Sequence, residues 1–322
     1  MLNIALIGAG QLGSRHLQGL ALLERPALVT VVDPTEASLA TAKERFAQIK
    51  QDKVEARFTQ RFEDLPRELD GVVVATGADV RRKAIEALLA QSKVKAALLE
   101  KVLFQRPGDY PAVQELLDRS GTRAWVNCAQ RLWPFFKDLR PMTLGKSNIQ
   151  VAVTGSQWGL ACNAIHNLDL LSFLTGGGSC RLETALDAGT ISSKRPGFIE
   201  LTGTLYAFGD RGNRVIQTSY RDGEAPFAFD VQGEDFHAIW RVGDGSMKIS
   251  RAADGWKWQD SESRAPFQSQ LTHAVLLEMI ERGTSALPGY AESASLHLEM
   301  LRAFLGHMGQ GTGTPLQVCA IT

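Results

Sequence analysis

Asn3-Ile4-Ala5-Leu6-Ile7-Gly8-Ala9-Gly10-Gln11-Leu12-Gly13 decides the reading of the first half of the chain. The apolar run ending at Ile7 predicts a buried strand, and a helical pattern continues from the glycines through Leu23. A G-x-G-x-x-G spacing placed between strand and helix marks a dinucleotide-binding turn. Gly8 allows the tight turn, Gly10 lets the backbone approach a pyrophosphate, and Gly13 lets helix and strand pack closely. Gln11 and Leu12 open the helix, whose exposed amides and dipole attract the anion. Asp33 ends the second apolar run, 20 residues after Gly13. Its carboxylate suits the hydroxyls of an adenosine ribose and repels a 2′-phosphate, which favours NAD over NADP.

Outward from this turn, short apolar runs at 3–7, 28–32, 71–75, 95–99 and 123–128 alternate with helical patterns. Near-continuous apolar strands separated by helices predict a parallel sheet covered on both faces, hence a doubly wound Rossmann domain over residues 1–128. After Pro134 the pattern changes. A helix at 135–142, a strand at 149–156 and a helix at 163–174 lead into strand-like runs at 181–191, 201–208, 214–220, 228–232, 238–242 and 247–251. Turn residues between these runs predict an open, mostly antiparallel sheet. Helices are expected at 267–282 and 290–308, a loose Gly/Thr-rich tail at 309–314 and an edge strand at 316–321. Residues 129–322 therefore read as an α+β substrate-binding domain, and the fold class as α/β.

The composition fits two globular domains. The chain has 322 residues, 44% hydrophobic and 22% charged, which argues against disorder. Lys+Arg and Asp+Glu are 35 each, so no excess positive field exists to bind nucleic acid. No apolar stretch approaches a membrane span and no signal segment precedes the first strand, so the expected location is cytoplasmic. Cys128, Cys162, Cys180 and Cys319 are dispersed, which signals neither a metal site nor a disulfide framework.

Glu100-Lys101 closes the run at 95–99, at the carboxyl edge where open α/β sheets bind ligands. Alternation along a strand points the two side chains to opposite sides, so they need not neutralise each other.

With these features the chain resembles the glucose-fructose oxidoreductase / inositol dehydrogenase (Gfo/Idh/MocA) family. The matching elements run in order: Gly8–Gly13 with Arg15-His16, Ala75-Thr76, Glu100-Lys101, Arg131 and Pro134, and His166 with Asp169. The resemblance implies an NAD-dependent dehydrogenase or reductase acting on sugars, cyclitols or nucleotide sugars, with a second domain whose sheet often supports a homodimer or homotetramer. It implies cofactor contacts from Thr76, Glu100 and Lys101, substrate contact from Lys101, and proton transfer assisted by His166. Three positions depart from the family pattern: Cys162 stands where an aspartate is common, Gly77 follows Ala-Thr, and Val102 follows Glu-Lys.

On a helix, Cys162, His166 and Asp169 share one stripe beside the apolar stripe of Ile165, Leu168 and Leu171, so His166 can face a cleft. Asp169 is expected to orient His166 or cap backbone. The expected chemistry is hydride transfer at a carbinol carbon. A lysine serving as base near pH 7 needs its pKa depressed by roughly three units, about 4 kcal/mol, whereas histidine needs almost none. Lys101 is therefore assigned to polarise the oxygen and His166 to move its proton. Arg131, Trp133, Trp158, Asn163 and Asn167 supply the mixture of polar groups and aromatic faces that a polyhydroxylated ligand requires. Two alternatives stay open: a non-catalytic NAD-binding regulatory protein, and NAD-assisted elimination or glycoside cleavage.

Overall fold

The computed structural model describes residues 1–310 and 315–322, so part of the tail expected at 309–314 lies outside the described residues. The chain divides into two compact units, one made of Met1–Phe104, Gly108–Asn127 and Pro266–Ala291, the other of Gln105–Pro107, Cys128–Ala265 and Glu292–Thr322.

Unit 1 alternates strand and helix: β1 (Leu2–Ile7), α1 (Gln11–Leu20), β2 (Ala27–Val32), α2 (Glu36–Ala47), β3 (Val54–Thr59), β4 (Glu68–Val74), α3 (Arg81–Gln91), β5 (Lys93–Leu99), α4 (Asp109–Ser120) and β6 (Arg123–Val126). All six strands are parallel, in the order β3-β2-β1-β4-β5-β6. This is the doubly wound order whose reversal falls between β1 and β4, where such sheets open a ligand crevice. The register pairs Ile7 with both Val32 and Val74, Val74 with Leu99, and Leu99 with Val126. Gly8, Asp33, Ala75, Glu100 and Asn127 therefore follow the strands at one level. Strand β3 was not anticipated, because at the sheet edge Glu55 and Arg57 face solvent and interrupt the apolar run.

Unit 2 contains α5 (Pro134–Thr143), β7 (Gln150–Ser156), α6 (Leu160–Thr175), β8 (Cys180–Leu186), the short pair β9 (Ile191–Ser192) and β10 (Ile199–Glu200), β11 (Gly203–Gly209), β12 (Arg214–Tyr220), β13 (Ala228–Gln232), β14 (Phe236–Arg241), β15 (Ser246–Arg251) and β16 (Gln259–Glu262). Eight of these strands form a sheet in the order β16-β15-β14-β13-β7-β12-β11-β8. Only β7 and β12 pair in parallel. Alternation is clean: Val151, Val153, Val215, Leu205 and Ala207 are buried on one face, while their chain neighbours are half-exposed on the other. Phe135 and Phe136 of α5 pack among Phe229 and Trp240 of the sheet, with ring centroids 5.0–5.8 Å apart. The run expected at 181–191 breaks after Leu186, and β16, wholly polar and exposed, carried no apolar signal.

The chain then forms α7 (Gln268–Arg282) and α8 (Tyr290–Met308). Helix α7 belongs to unit 1. Its Thr272, Val275, Leu276 and Met279 are buried, and it packs against α1 and the sheet strands β4 and β5. Val126 donates its amide to Pro288 O at 3.0 Å, so the returning segment also closes the β6 edge. The division at 128/129 into two contiguous domains is thereby corrected: the apolar side of α7 covers the first sheet, which a linear reading of the chain cannot reveal. The edge strand expected at 316–321 is absent from the described residues. That segment is instead held by single bonds from Cys319 N to Gln105 O (3.0 Å) and from Ile199 N to Ala320 O (2.9 Å), with Cys319 and Ile321 fully buried. Among the described residues no helix is long and apolar enough to cross a membrane.

Candidate functional site

The carboxyl ends of β1, β2 and β4 surround a cavity of about 480 Å³ walled by Gly8, Gly10, Asp33, Thr35, Ser38, Phe62, Thr76, Gly77, Val80 and Lys83, among others. Gly8 adopts φ +92°, which a side chain would resist, and a Cβ on Gly13 would fall on the Gly8 carbonyl oxygen. Above Gly10, by contrast, a Cβ would meet nothing within 4 Å, and the N-terminus of α1 carries no side-chain cap. Asp33 is 8% exposed and braces the turn: Oδ2 accepts from Ala9 N at 2.7 Å and Oδ1 from Thr35 N at 2.8 Å. Each oxygen retains a second lone pair for a ribose hydroxyl. Thr76, in the same wall, keeps a buried hydroxyl without a protein partner. An unpartnered buried hydroxyl, an uncapped helix N-terminus and a carboxylate at the second strand end fit an adenine dinucleotide. Gln11 and Leu12 form the first turn of α1, and the Gln11 side chain is held by Arg45 Nη2 at 2.7 Å.

Glu100 lies outside this wall. It is 3% exposed, and Oε1 accepts from His16 Nε2 at 2.9 Å and from the Asn127 amide. Asn127 also donates to Gln268 Oε1 at 2.9 Å, and His16 Nδ1 meets Thr272 Oγ1 at 2.9 Å, so α1, β5, β6 and α7 converge on one carboxylate. Burial alone would raise the Glu100 carboxyl, but the bond and charge of His16, the Asn127 amide and the Lys101 charge hold it at about 2. Lys101 is half-buried beside it. Arg81, fully buried at the start of α3, donates to the carbonyls of Thr76, Val102 and Leu103, tying the loops after β4 and β5 together. Sequence reasoning passed over Arg81, since its acceptors are backbone oxygens remote in sequence. His16 stood in a matched motif with no role, because its partners arrive from other elements.

In unit 2 the expected substrate residues separate. His166 is half-buried on α6, but the stripe it shares is sealed on either side, with Cys162 and Asp169 both buried. Asp169 is partnered by Arg131. It accepts a two-pronged contact from Arg131, Nε to Oδ2 at 2.7 Å and Nη2 to Oδ1 at 2.6 Å, and the same Nη2 reaches Glu292 Oε1 at 2.5 Å. Burial pushes the Asp169 carboxyl up to about 6 despite the guanidinium, and Glu292 adds to the push. Burial also works against the Arg131 charge, yet the two carboxylates hold its pKa above the ordinary value. Arg131 thus belongs to an internal ion cluster with Asp169 and Glu292. Trp133 stacks on Phe136 (6.0 Å) and meets Trp240 edge-on (5.6 Å), which makes it part of the aromatic packing. Asn167 is fully buried and donates to Gln217 Oε1 at 2.8 Å, so it faces the sheet. At all three positions the facing element supplies a protein partner. Trp158 and Asn163 remain half-buried at the α6 N-terminus. The Trp158 indole donates to Thr218 O at 2.9 Å, and Asn163 Nδ2 donates to Trp158 O at 3.0 Å. Glu200, from β10, accepts from the amides of Ala161 (2.9 Å) and Cys162 (3.4 Å), serving as the cap that Gly159 cannot provide.

Known proteins share both the fold and the first unit. Solved structures superpose along nearly the whole chain: UDP-N-acetylglucosamine 3-dehydrogenase from Acidithiobacillus ferrooxidans (TM-score 0.70, 15% identity, 96% of this chain and 98% of that one). An oxidoreductase from Agrobacterium radiobacter in complex with NAD+, L-tartaric acid and magnesium gives TM-score 0.69 at 16% identity, covering 96% and 97%. A Gfo/Idh/MocA family oxidoreductase from Vibrio cholerae gives TM-score 0.71 at 15% identity, covering 98% and 100%. At such identities the likeness is one of fold. Comparison with curated protein sequences finds no match. The sequence model described as an oxidoreductase family with an NAD-binding Rossmann fold matches residues 2–128, the stretch that builds the glycine turn, Asp33 and the Glu100-Lys101 strand end. Residues 2–128 are thus similar to the NAD-binding Rossmann fold of the Gfo/Idh/MocA oxidoreductase family.

Proposed function

We propose that this oxidoreductase transfers a hydride between the nicotinamide of NAD and a carbinol or carbonyl carbon of a sugar, cyclitol or nucleotide sugar. The observation that carries the proposal is the cavity where Asp33, the open turn at Gly10 and the unpartnered Thr76 hydroxyl meet, in a domain of an NAD-binding family. The UDP-sugar dehydrogenase and the tartrate-bound oxidoreductase of like fold support a polyhydroxylated substrate by analogy.

Bound NAD supplies the hydride acceptor or donor. Gly10, Gln11 and Leu12 would hold its pyrophosphate, Asp33 its ribose hydroxyls, and Thr76 would find a partner for its hydroxyl on it. Lys101 polarises the reacting oxygen by placing an ammonium beside it. His166 takes up or delivers the proton, a role for which an imidazole's two ring nitrogens are suited. Trp158 and Asn163 bind the remainder of the substrate. The protein works in the cytoplasm as a homodimer or homotetramer joined through the half-exposed face of the eight-stranded sheet, and light scattering at micromolar concentration reads that mass.

Screening sugars, cyclitols and nucleotide sugars for absorbance change at the nicotinamide band identifies the substrate. With it, Lys101→Ala abolishes turnover while NAD still binds, and His166→Ala lowers the rate roughly 10²–10⁴-fold. Full activity in Lys101→Ala refutes the assignment.

A further inference from the structure

Gly10 has no side chain to restrict its backbone, and a Cβ there would meet nothing within 4 Å, so neither its own sterics nor packing fixes the peptide that follows it. Binding a pyrophosphate at this turn needs that peptide fixed. The first amides of a helix have no partner within the helix, and α1 carries no side-chain cap. A trans peptide is planar, so anchoring the carbonyl on one side of the plane aims the amide on the other. The Gly10 carbonyl therefore sets the direction of the Gln11 N–H, and the Gln11 carbonyl that of the Leu12 N–H.

Both carbonyls are anchored from the side of α2. Gly10 O accepts from Ser14 twice, from its amide at 2.9 Å and from its hydroxyl at 2.8 Å. Arg45, in the last turn of α2, donates through Nη1 to Gln11 O at 3.0 Å and to Ser14 Oγ at 2.5 Å, and through Nη2 to Gln11 Oε1 at 2.7 Å. Ser14 is fully buried, and its hydroxyl gives its proton to the carbonyls of this turn while it accepts from Arg45. One guanidinium thus spans three acceptors in the first turn of α1, which suits a planar fork of donors and not the single point charge of a lysine. Gln18, further along α1, donates to Arg45 O at 3.1 Å, so the backbone that carries the guanidinium is itself tied to α1. Arg45 lies outside the cavity wall, so its action on a ligand passes through the turn.

We infer that Arg45 is a positioning residue for the cofactor pyrophosphate: directly at Gln11 and through the Ser14 hydroxyl at Gly10, it holds the two peptide planes whose amides meet the anion. The inference rests on the reading of the cavity as a dinucleotide site.

Full-length protein is titrated with NADH, followed by its fluorescence, and NADH is displaced by ADP-ribose, which keeps the pyrophosphate, or by adenosine, which lacks it. Urea unfolding of each variant verifies that it is folded. Arg45→Met raises the Kd of NADH and of ADP-ribose about 3–10-fold, because binding now has to order the loosened turn, and leaves adenosine within about twofold. Arg45→Lys keeps the charge without the fork and shows nearly the same loss. Ser14→Ala weakens the two pyrophosphate ligands selectively, and the Arg45→Met/Ser14→Ala double variant loses less than the product of the single effects, since the two side chains act on one carbonyl. If Arg45→Met does not fold, Arg45→Lys and Ser14→Ala decide the matter. Unchanged NADH binding in the folded variants, an equal loss for all three ligands, or full rescue by lysine overturns the inference. An unmodified protein that binds neither NADH nor ADP-ribose overturns the functional reading, and the inference with it.

Discussion

Replacing Arg131 with methionine separates a structural role from a ligand-binding one. Arg131 is 8% exposed, and its guanidinium meets both oxygens of a fully buried Asp169 at 2.6 and 2.7 Å. Removing one partner of a buried pair leaves an uncompensated charge, which costs about 3–5 kcal/mol. Glu292 adds little to that figure, since its side chain is 39% exposed and solvent screens it. The cost depends on pH in a definite direction. The Asp169 carboxyl already titrates at about 6 in the folded protein, above its ordinary 3.8, because burial disfavours the charge. A carboxyl with a raised folded pKa binds protons more readily when folded, so stability falls as pH rises from about 4 to 6 and stays level above. Without the guanidinium, burial acts alone and the carboxyl takes up a proton at still higher pH. Urea unfolding of Arg131→Met, read by the fluorescence of Trp133 and Trp240 in the same unit, should show the full loss at pH 8. At pH 5, where a protonated Asp169 no longer carries the charge, at least half should be recovered. A loss under about 1 kcal/mol at pH 8, or one equally large at pH 5, refutes the buried-cluster account and returns Arg131 to the substrate side.

Asp33→Ala should narrow or reverse a preference for NAD over NADP measured by calorimetry, and equal affinity of the unmodified protein for both cofactors would remove Asp33 from discrimination. Asp33→Asn should weaken NAD less than Asp33→Ala, because its amide oxygen can still accept one of the two bonds from Ala9 N and Thr35 N. Glu100 gives an acid-side signature: a folded pKa of about 2 against an ordinary 4.5 is worth about 3 kcal/mol, fully present above pH 4.5 and lost as pH falls toward 2. Glu100→Gln should flatten that limb of the stability curve, and an unaltered acid limb would contradict the ionised network.

The sequence by itself determined the inner strands of the first unit and its glycine turn. A buried parallel strand needs apolar residues on both faces, so β1, β2, β4 and β5 announce themselves, and the glycine turn with Asp33 depends on backbone allowances and spacing that a linear reading can test. The edges were less readable, because β3 and β16 expose polar side chains and carry no apolar run. The tertiary structure decided what depends on facing partners. Whether an arginine, a tryptophan or an asparagine meets a ligand or the interior turns on the opposing element: Asp169 claims Arg131, Trp240 claims Trp133 and Gln217 claims Asn167. The same is true of His16, which meets Thr272 only because α7 returns from more than 250 residues away. Composition and periodicity record which face of an element is apolar, but the partner of a buried polar group is fixed by where the chain closes on itself.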